Sequence, residues 1–254
     1  VPSGEGGFTP VAPSAIAFNE KYATPQELDQ AGIDGVVQAF ADAARRAERA
    51  GFAVVEIHAA HGYLLHEFLS PLSNKRGDQY GGSLENRARL LLGVTEAVRG
   101  VWPQDLPLFV RISATDWVEG GWTIDESVEV ARMLKQRGVD LVDCSSGGNV
   151  PSAKIPVAPG YQVQFAARIK REAGIATAAV GMITEPLQAN GIVENGEADM
   201  VLLAREMLRD PYFAVHAAAA LSETASWPEQ YLRAAPHHSP ARTGIEGREQ
   251  GIGK

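Results

Sequence analysis

The chain has very little cysteine and no long hydrophobic run. Its single cysteine, Cys144, excludes an internal disulfide in this 254-residue sequence. Such scarcity is typical of a reducing compartment, so we expect a cytoplasmic protein. The longest apolar segments, such as residues 175–183, reach about half of the ~20 residues that a membrane-spanning helix needs.

Basic residues are also in the minority. The sequence has 31 Asp and Glu against 23 Lys and Arg, and its net charge of −8 disfavours nucleic acid or an anionic membrane as the main partner. No Gly-x-Gly-x-x-Gly motif follows a predicted strand, which disfavours the doubly wound dinucleotide-binding fold. The remaining composition, with 45% hydrophobic and 21% charged residues, is that of a globular protein.

The two ends of the chain differ from its middle. Residues 1–22 are rich in Gly, Pro and Ser and predict a loop-like lead-in. Residues 237–254 hold four glycines and almost no large apolar side chain, and they predict a flexible tail. We therefore expect one domain over residues 1–236, followed by a C-terminal tail over residues 237–254.

Between the ends, short apolar strands alternate with helices. Asp34 is expected to cap the first helix, and Thr123 with Glu126 forms a capping box for the third. Apolar and polar residues do not alternate along these segments. This indicates strands that are covered on both faces, and hence a parallel α/β sheet. The predicted strands are residues 52–57, 106–112, 139–144, 175–180 and 199–204.

The spacing of these repeats, with polar residues just after the strands, favours a (β/α)8 barrel. A closed barrel needs eight strands, whereas the sequence predicts five. In a barrel the functional face lies at the carboxyl ends of the strands, so candidate site residues are sought there.

The first predicted strand leads into two histidines and a tyrosine. His58, His61 and Tyr63 offer hydrogen-bond donors for a substrate oxygen and a phenol that can deliver a proton. Two other interpretations stay open from the residues alone. The histidines could be packed and satisfied, or they could bind zinc, although no third ligand is evident.

The later strand ends carry cationic and small residues. Arg111 leaves an apolar strand, where it could lie beside an anionic or electron-rich cofactor or form a structural salt bridge. Backbone N–H groups after the last two strands predict a phosphate site, with Arg205 as an added donor or simply as a surface arginine. The residues at these two ends are Gly181, Met182, Ala204 and Arg205.

Several long motifs together resemble one family, the old yellow enzymes, which are FMN-dependent ene-reductases, and in particular its bacterial xenobiotic-reductase branch. The resemblance covers roughly residues 12–233. The motifs that carry it are His58-Ala59-Ala60-His61-Gly62-Tyr63-Leu64, Phe68-Leu69-Ser70-Pro71, Asn74, Arg76, Tyr80-Gly81-Gly82-Ser83, Asn86-Arg87, Phe109-Val110-Arg111-Ile112-Ser113, Asp143-Cys144-Ser145-Ser146-Gly147 and Ala204-Arg205-Glu206-Met207-Leu208-Arg209-Asp210-Pro211.

The resemblance implies an FMN-holding (β/α)8 barrel, of which this chain holds about strands four to eight and lacks the amino-terminal third. It implies that His58 and His61 bind the substrate carbonyl and that Tyr63 protonates the α carbon. Arg111 would lie near the N1 and O2 edge of the flavin. Gly181, Met182, Ala204 and Arg205 would bind its phosphate.

The implied activity is hydride transfer from NADPH or NADH, through FMN, to the activated C=C bond of an α,β-unsaturated carbonyl compound. The alternative is a truncated or split barrel fragment that neither binds flavin nor catalyses alone and that recruits a complementing N-terminal segment. Arg233 resembles an arginine that relatives lend across a dimer interface, so a homo-oligomer is also expected. Flavin barrels with an iron–sulfur cysteine cluster are disfavoured by the single cysteine.

Overall fold

A computed structural model describes residues 5–225 and 227–234. The tail expected over residues 237–254 lies outside the described residues. The strands are β1 (Val11–Ala12), β2 (Gln26–Glu27), β3 (Val55–Ala59), β4 (Leu108–Ser113), β5 (Leu141–Ser145), β6 (Ala176–Val180) and β7 (Met200–Leu202). The helices are α1 (Gln30–Arg49), α2 (Leu64–Leu69), α3 (Leu84–Arg99), α4 (Ile124–Lys135), α5 (Val163–Ala173), α6 (Pro186–Glu194), α7 (Arg205–Arg209) and α8 (Phe213–Ala220), with a 3₁₀ turn at Glu229–Ala234.

The five predicted strands form one parallel sheet in the order β3-β4-β5-β6-β7. Each strand pairs with the next in sequence, and helices make the crossovers, as the βα repeat predicts. Within the described part of the chain, β3 and β7 form the two edges of this sheet. Strand β1 of the lead-in pairs in parallel with β2, which follows the lead-in, and the sequence did not predict this small separate sheet.

The central strand β5 is buried on both faces of the sheet, as its lack of apolar–polar alternation predicts. All five residues of β5 are buried, including Cys144, and burial raises the pKa of its thiol well above the usual range. In β4 the fully buried residues Leu108, Val110 and Ile112 lie on one face, whereas Phe109 and Arg111 on the other face are only partly buried. The carboxyl ends of all five strands therefore meet at one edge of a rigid sheet, and the loops that follow them present the candidate site.

One helix cap differs from the prediction. Asp29, not Asp34, caps α1, and its side chain accepts a hydrogen bond from the Gly32 N–H at 2.8 Å. Asp34 lies one turn further on and binds the side chain of Gln30. The capping box of Thr123 with Glu126 is confirmed. Helices α2 and α7 are too short to give a periodic pattern, which is why the sequence did not predict them. In the described ranges, no helix is both long and apolar enough to cross a bilayer.

Candidate active site

The turn after β3 brings together the three residues predicted to be catalytic. The ring of His58 lies 5.1 Å from that of His61 and 5.4 Å from that of Tyr63, measured between centroids. Tyr63 is the residue that precedes α2, and it is 64% exposed. Two imidazoles and an accessible phenol therefore face one another at the carboxyl end of an edge strand.

This turn has an unusual backbone. His61 and Gly62 are both in the left-handed region, with φ of 61° and 74°. For His61 such a conformation costs of order 1–3 kcal/mol and persists only where its surroundings impose it. Gly62 cannot carry a side chain, because a Cβ there would lie 2.2 Å from the carbonyl oxygen of Gly148. The His61 N–H donates to Ser113 Oγ at 2.9 Å, and the Gly62 N–H donates to His66 Nδ1 at 2.9 Å.

Both histidines of the turn are held in the neutral state. Burial, followed by the charges of His58 and Arg111, lowers the pKa of His61 to about 4. Burial and Arg111 also lower the pKa of His58. The Nε2 atom of His61 lies 2.6 Å from Ser145 Oγ, which orients the ring. Near pH 7 the pair can therefore offer neutral N–H donors rather than cations.

Arg111 lies beside His58 in the sheet. His58 is paired with Arg111 across β3 and β4, and Arg111 is paired with Asp143 across β4 and β5. The Arg111 Nε atom contacts the buried carboxylate of Asp143 and lies 3.2 Å from Glu56 Oε1. The salt bridge that the sequence left as an alternative for Arg111 is thus present.

The two carboxyl groups around Arg111 hold a proton more tightly than usual. Burial, and then the neighbouring Asp143, raise the pKa of Glu56 to about 7. Burial also raises the pKa of Asp143, against the opposing effect of Arg111. Near neutral pH the pair shares a proton, so this cluster of one guanidinium and two carboxyls can be electrically neutral next to His58.

The residues predicted to bind phosphate line a different surface at the same edge of the sheet. A cavity of about 310 Å³ lies at the carboxyl ends of β6 and β7, and its lining includes Gly181, Met182, Ala204 and Arg205. Gly181 has φ of 117°, and a Cβ there would lie 2.6 Å from the side-chain nitrogen of Gln162. Ala204 has φ of −106°, which a non-glycine residue tolerates.

The guanidinium of Arg205 is available to a ligand in this cavity. Arg209, which also lines the cavity, is paired with Glu206 at 2.5 Å. By contrast, no carboxylate or hydrogen-bond acceptor within the described residues engages the side chain of Arg205, which is exposed. An unpaired arginine beside backbone turns in the left-handed region, such as that of Met182, suits an anionic group.

The sequence analysis missed several residues that support the site. Glu56 precedes His58 by two positions in β3, so the strand periodicity puts both on one face of the sheet. Asp143 lies in register with Arg111, which pairs with His58, so strand pairing adds these two residues to the same face. Ser145, which orients His61, stood out only as a small residue. Among the described residues, no group of three or more His, Cys, Asp or Glu side chains is placed to hold a metal ion.

Comparison with known sequences gives a consistent family. Residues 4–224 match the family described as NADH:flavin oxidoreductase / NADH oxidase. An NADPH dehydrogenase of Geobacillus sp. (strain WCH70) is 57% identical over 223 residues, which is 88% of this chain and 65% of the relative. An NADPH dehydrogenase of Bacillus subtilis (strain 168) is 54% identical over 222 residues, or 87% of this chain and 65% of the relative. The chain thus spans about 65% of the length of these curated relatives.

Solved structures give the same picture of the fold. A 2-naphthoyl-CoA reductase complex with 2-naphthoyl-CoA has a TM-score of 0.77 and 31% identity, over 85% of this chain and 33% of that one. Morphinone reductase in complex with tetrahydroNAD has a TM-score of 0.70 and 26% identity, over 89% of this chain and 64% of that one. An old yellow enzyme homologue from Zymomonas mobilis has a TM-score of 0.71 and 26% identity, over 91% of this chain and 67% of that one. The parallel α/β fold is therefore similar to the barrels of these enzymes.

Proposed function

The chain belongs to the NADH:flavin oxidoreductase / NADH oxidase family, and from this premise we propose that it serves an FMN-dependent ene-reductase. The substrates would be α,β-unsaturated carbonyl compounds, and the reductant would be NADPH or NADH. The observation that carries the proposal is the cluster of His58, His61 and Tyr63, held on one turn beside Arg111. The family match and the names of the relatives favour an oxidoreductase over the alternative of a non-catalytic fragment.

The residues present fit FMN. In the cavity at β6 and β7, Gly181 has no side chain, so a ligand can come close to the backbone there, and the side chain of Arg205 is unpaired. Both features suit a phosphate group. Arg111 is a partly buried cation on β4, at the same edge of the sheet, and it suits the electron-rich edge of the flavin ring. When bound, FMN supplies the hydride chemistry, taking hydride from a reduced nicotinamide and delivering it to the alkene.

In this proposal His58 and His61 bind and polarise the carbonyl oxygen of the substrate. Negative charge develops on that oxygen as the β carbon is reduced, and fixed N–H donors stabilise the charge more in the transition state than in the ground state. Neutral imidazoles suit this task because the lowered pKa values of both rings leave them unprotonated at pH 7. The Ser145 hydroxyl fixes the direction of the His61 ring.

Tyr63 is proposed to deliver the proton to the α carbon. Its phenol is exposed, so the proton can be replaced from solvent after each turnover. Its ring lies near that of His58, and this supports a proton donor on the same side of the turn as the proposed carbonyl site. The histidines thus hold the oxygen while the tyrosine completes the addition of H₂ across the double bond.

We further infer that β3 to β7 are equivalent to strands four to eight of the barrels in the related enzymes. The support is the unbroken order of five parallel strands, with the candidate catalytic turn after the first and the phosphate cavity after the last two. Association into a homo-oligomer, or with a complementing N-terminal segment, belongs to the same proposal.

The phosphate part of the proposal can be tested by flavin binding. Arg205→Ala should weaken FMN binding by about tenfold or more, since one charge-assisted contact is lost. Riboflavin, which lacks the phosphate, should bind both proteins alike. Arg45→Ala, on the exposed face of α1, is the matched control and should leave both affinities unchanged. If Arg205→Ala lost affinity for FMN and for riboflavin equally, this would contradict a contact between Arg205 and the phosphate.

The activity itself is tested by enone-dependent oxidation of NADPH. The purified flavin-loaded protein should consume NADPH anaerobically in proportion to added 2-cyclohexenone and should yield cyclohexanone. Consumption without saturated ketone would contradict the proposed reaction.

A further inference from the structure

We propose that His66 and Asp116 are positioning residues, which hold the turn of His61, Gly62 and Tyr63 in the geometry that presents His61 and Tyr63 to the substrate. This inference rests on the proposed function and adds two residues that make no contact with solvent. It concerns the backbone of the turn, whereas Ser145 acts on the ring of His61.

His66 engages the turn directly. It lies on α2, four residues after Gly62, and its side chain is fully buried. The Gly62 N–H donates to His66 Nδ1 at 2.9 Å. Because Nδ1 accepts this hydrogen bond, the neutral ring carries its proton on Nε2. His66 is thus the acceptor for a backbone N–H in the centre of the left-handed segment.

The other side of the His66 ring meets Asp116. The Nε2 atom lies 3.0 Å from Asp116 Oδ1, and both side chains are fully buried. The pair lacks the geometry of a full hydrogen bond, so the contact is mainly electrostatic. Asp116 belongs to the loop between β4 and α4, so the contact ties the turn after β3 to the neighbouring strand's loop.

Asp116 is itself firmly held. Its Oδ2 atom accepts hydrogen bonds from Ser70 Oγ at 2.5 Å and from the Trp122 N–H at 2.9 Å, with Asn149 Nδ2 at 3.4 Å. Burial alone would raise the pKa of Asp116, but the contact with His66 and the bonds from Ser70 and Trp122 outweigh it and lower the pKa. The carboxylate is therefore a fixed anion at the base of the network.

The turn needs such an anchor because its conformation is not one that the chain prefers. His61 is left-handed although it is not glycine, and Gly62 is pressed against the carbonyl of Gly148. A displacement of the Gly62 peptide would move the residues on both sides of it, His61 and Tyr63. Small displacements of a donor from a reacting atom lower rates steeply, so the backbone position matters for catalysis.

Two substitutions separate the two contacts of His66. In His66→Asn the side-chain oxygen stands near the place of Nδ1, so the acceptor for Gly62 is retained while the reach to Asp116 is lost. In His66→Gln the amide nitrogen stands near the place of Nε2, so the contact with Asp116 is retained while the acceptor for Gly62 is lost. Both variants remove a ring from the same buried position and serve as controls for each other in stability.

The kinetic test compares these variants in the flavin-loaded enzyme. His66→Gln should slow the reduction of 2-cyclohexenone by reduced enzyme on the order of tenfold or more. His66→Asn should slow it to a smaller extent, because its acceptor for the Gly62 N–H is kept but is no longer fixed by Asp116. Reduction of the flavin by NADPH should change little in either variant. Equal rates of enone reduction in the two variants, with equal thermal stability, would show that His66 is only a packing residue and would overturn the inference.

A second readout needs no flavin and no activity. The amide signal of Gly62 in ¹H–¹⁵N spectra should be downfield and protected from exchange in wild type and His66→Asn, and shifted and exposed in His66→Gln. An unchanged Gly62 signal in His66→Gln would contradict the anchor. If the amide behaves as expected but the wild-type enzyme reduces no enone, the proposed function fails while the anchor stands.

Discussion

The Nε2 atom of His61 lies 2.6 Å from the hydroxyl of Ser145, although the two residues are 84 positions apart in the chain. This contact joins the turn after β3 to the end of β5, across the intervening strand β4. The direction of a proposed substrate-binding ring is therefore set by the end of β5, two strands away in the sheet, and not by its own turn alone. The candidate site is accordingly a property of three strand ends that are fixed relative to one another by the sheet.

The two histidines should matter for the step in which the alkene is reduced. Replacing both His58 and His61 with alanine should slow enone reduction on the order of 10²-fold or more, since two donors to the developing oxyanion are lost. Phenolate ligands, which mimic the enolate, should also bind more weakly. Pre-steady-state measurement of the two half-reactions would check this. His216→Ala removes an exposed, surface-paired histidine and should have no effect; unchanged enone turnover in the double variant would show that the assignment is wrong.

Removing the phenol of Tyr63 should affect one half-reaction only. Tyr63→Phe should slow enone reduction, because the proton donor is lost, and should leave flavin reduction by the nicotinamide nearly intact. Tyr22→Phe is a matched control, since Tyr22 is 61% exposed and Tyr63 is 64% exposed. Equal slowing of both half-reactions would instead point to a structural role for Tyr63.

The left-handed turn makes a prediction about stability. Gly62→Ala should lower the free energy of unfolding by about 3 kcal/mol or more, because the Cβ would strain φ and collide with the Gly148 carbonyl. Gly35→Ala, in the middle of α1 with no atom within 4 Å of the new Cβ, should instead stabilise by about 0.5–1 kcal/mol. Denaturant unfolding of both variants provides the measurement. Similar unfolding free energies for the two variants would contradict the close packing of the turn.

The carboxyl cluster around Arg111 predicts how stability depends on pH. The pKa of Glu56 is raised from 4.5 to about 7, so the folded state binds the proton more tightly than the unfolded state. Its contribution is therefore complete below pH ~4.5 and is lost as the pH rises to ~7. The difference in unfolding free energy between wild type and Glu56→Gln should fall by about 1 kcal/mol over this interval and stay level above it. This value is smaller than the pKa shift alone would give, because the Glu56 side chain is partly exposed and solvent screens its charge.

The exposed carboxylate of Glu119 provides the control for that experiment. Glu119→Gln makes the same chemical change at an exposed site, so the comparison shows how much of the pH dependence is specific to Glu56. A difference for Glu56→Gln that rises with pH, as for an acid stabilised in its ionised form, would contradict the shared proton.

The parts of the fold that could be predicted from sequence are those set by local signals. Thr123 with Glu126 was identified as a capping box because the two partners lie three residues apart. The true cap of α1, Asp29, was missed because Asp34 satisfies the same local rule and only the structure shows which side chain meets a free N–H. His58, His61 and Tyr63 were found together because they are close in the chain.

The supporting residues depend on contacts that no local signal reveals. Asp143 meets Arg111 through strand register, and Asp116 meets His66 through a loop that folds back over 50 positions of sequence. A buried aspartate after a strand gives no sign of which histidine it will contact. The positions of such partners follow from packing, which is why the network behind the turn could not be predicted.

The central claim is that hydride reaches the β carbon of an enone and a proton reaches its α carbon. The most direct test uses NADPH deuterated at its hydride-donating position, with 2-cyclohexenone at saturating concentration so that transfer outruns exchange with solvent. We expect cyclohexanone with deuterium at the β carbon, and deuterium at the α carbon when unlabelled NADPH is used in D₂O. Deuterium at the carbonyl carbon of an alcohol, or an organic product without label, would contradict it.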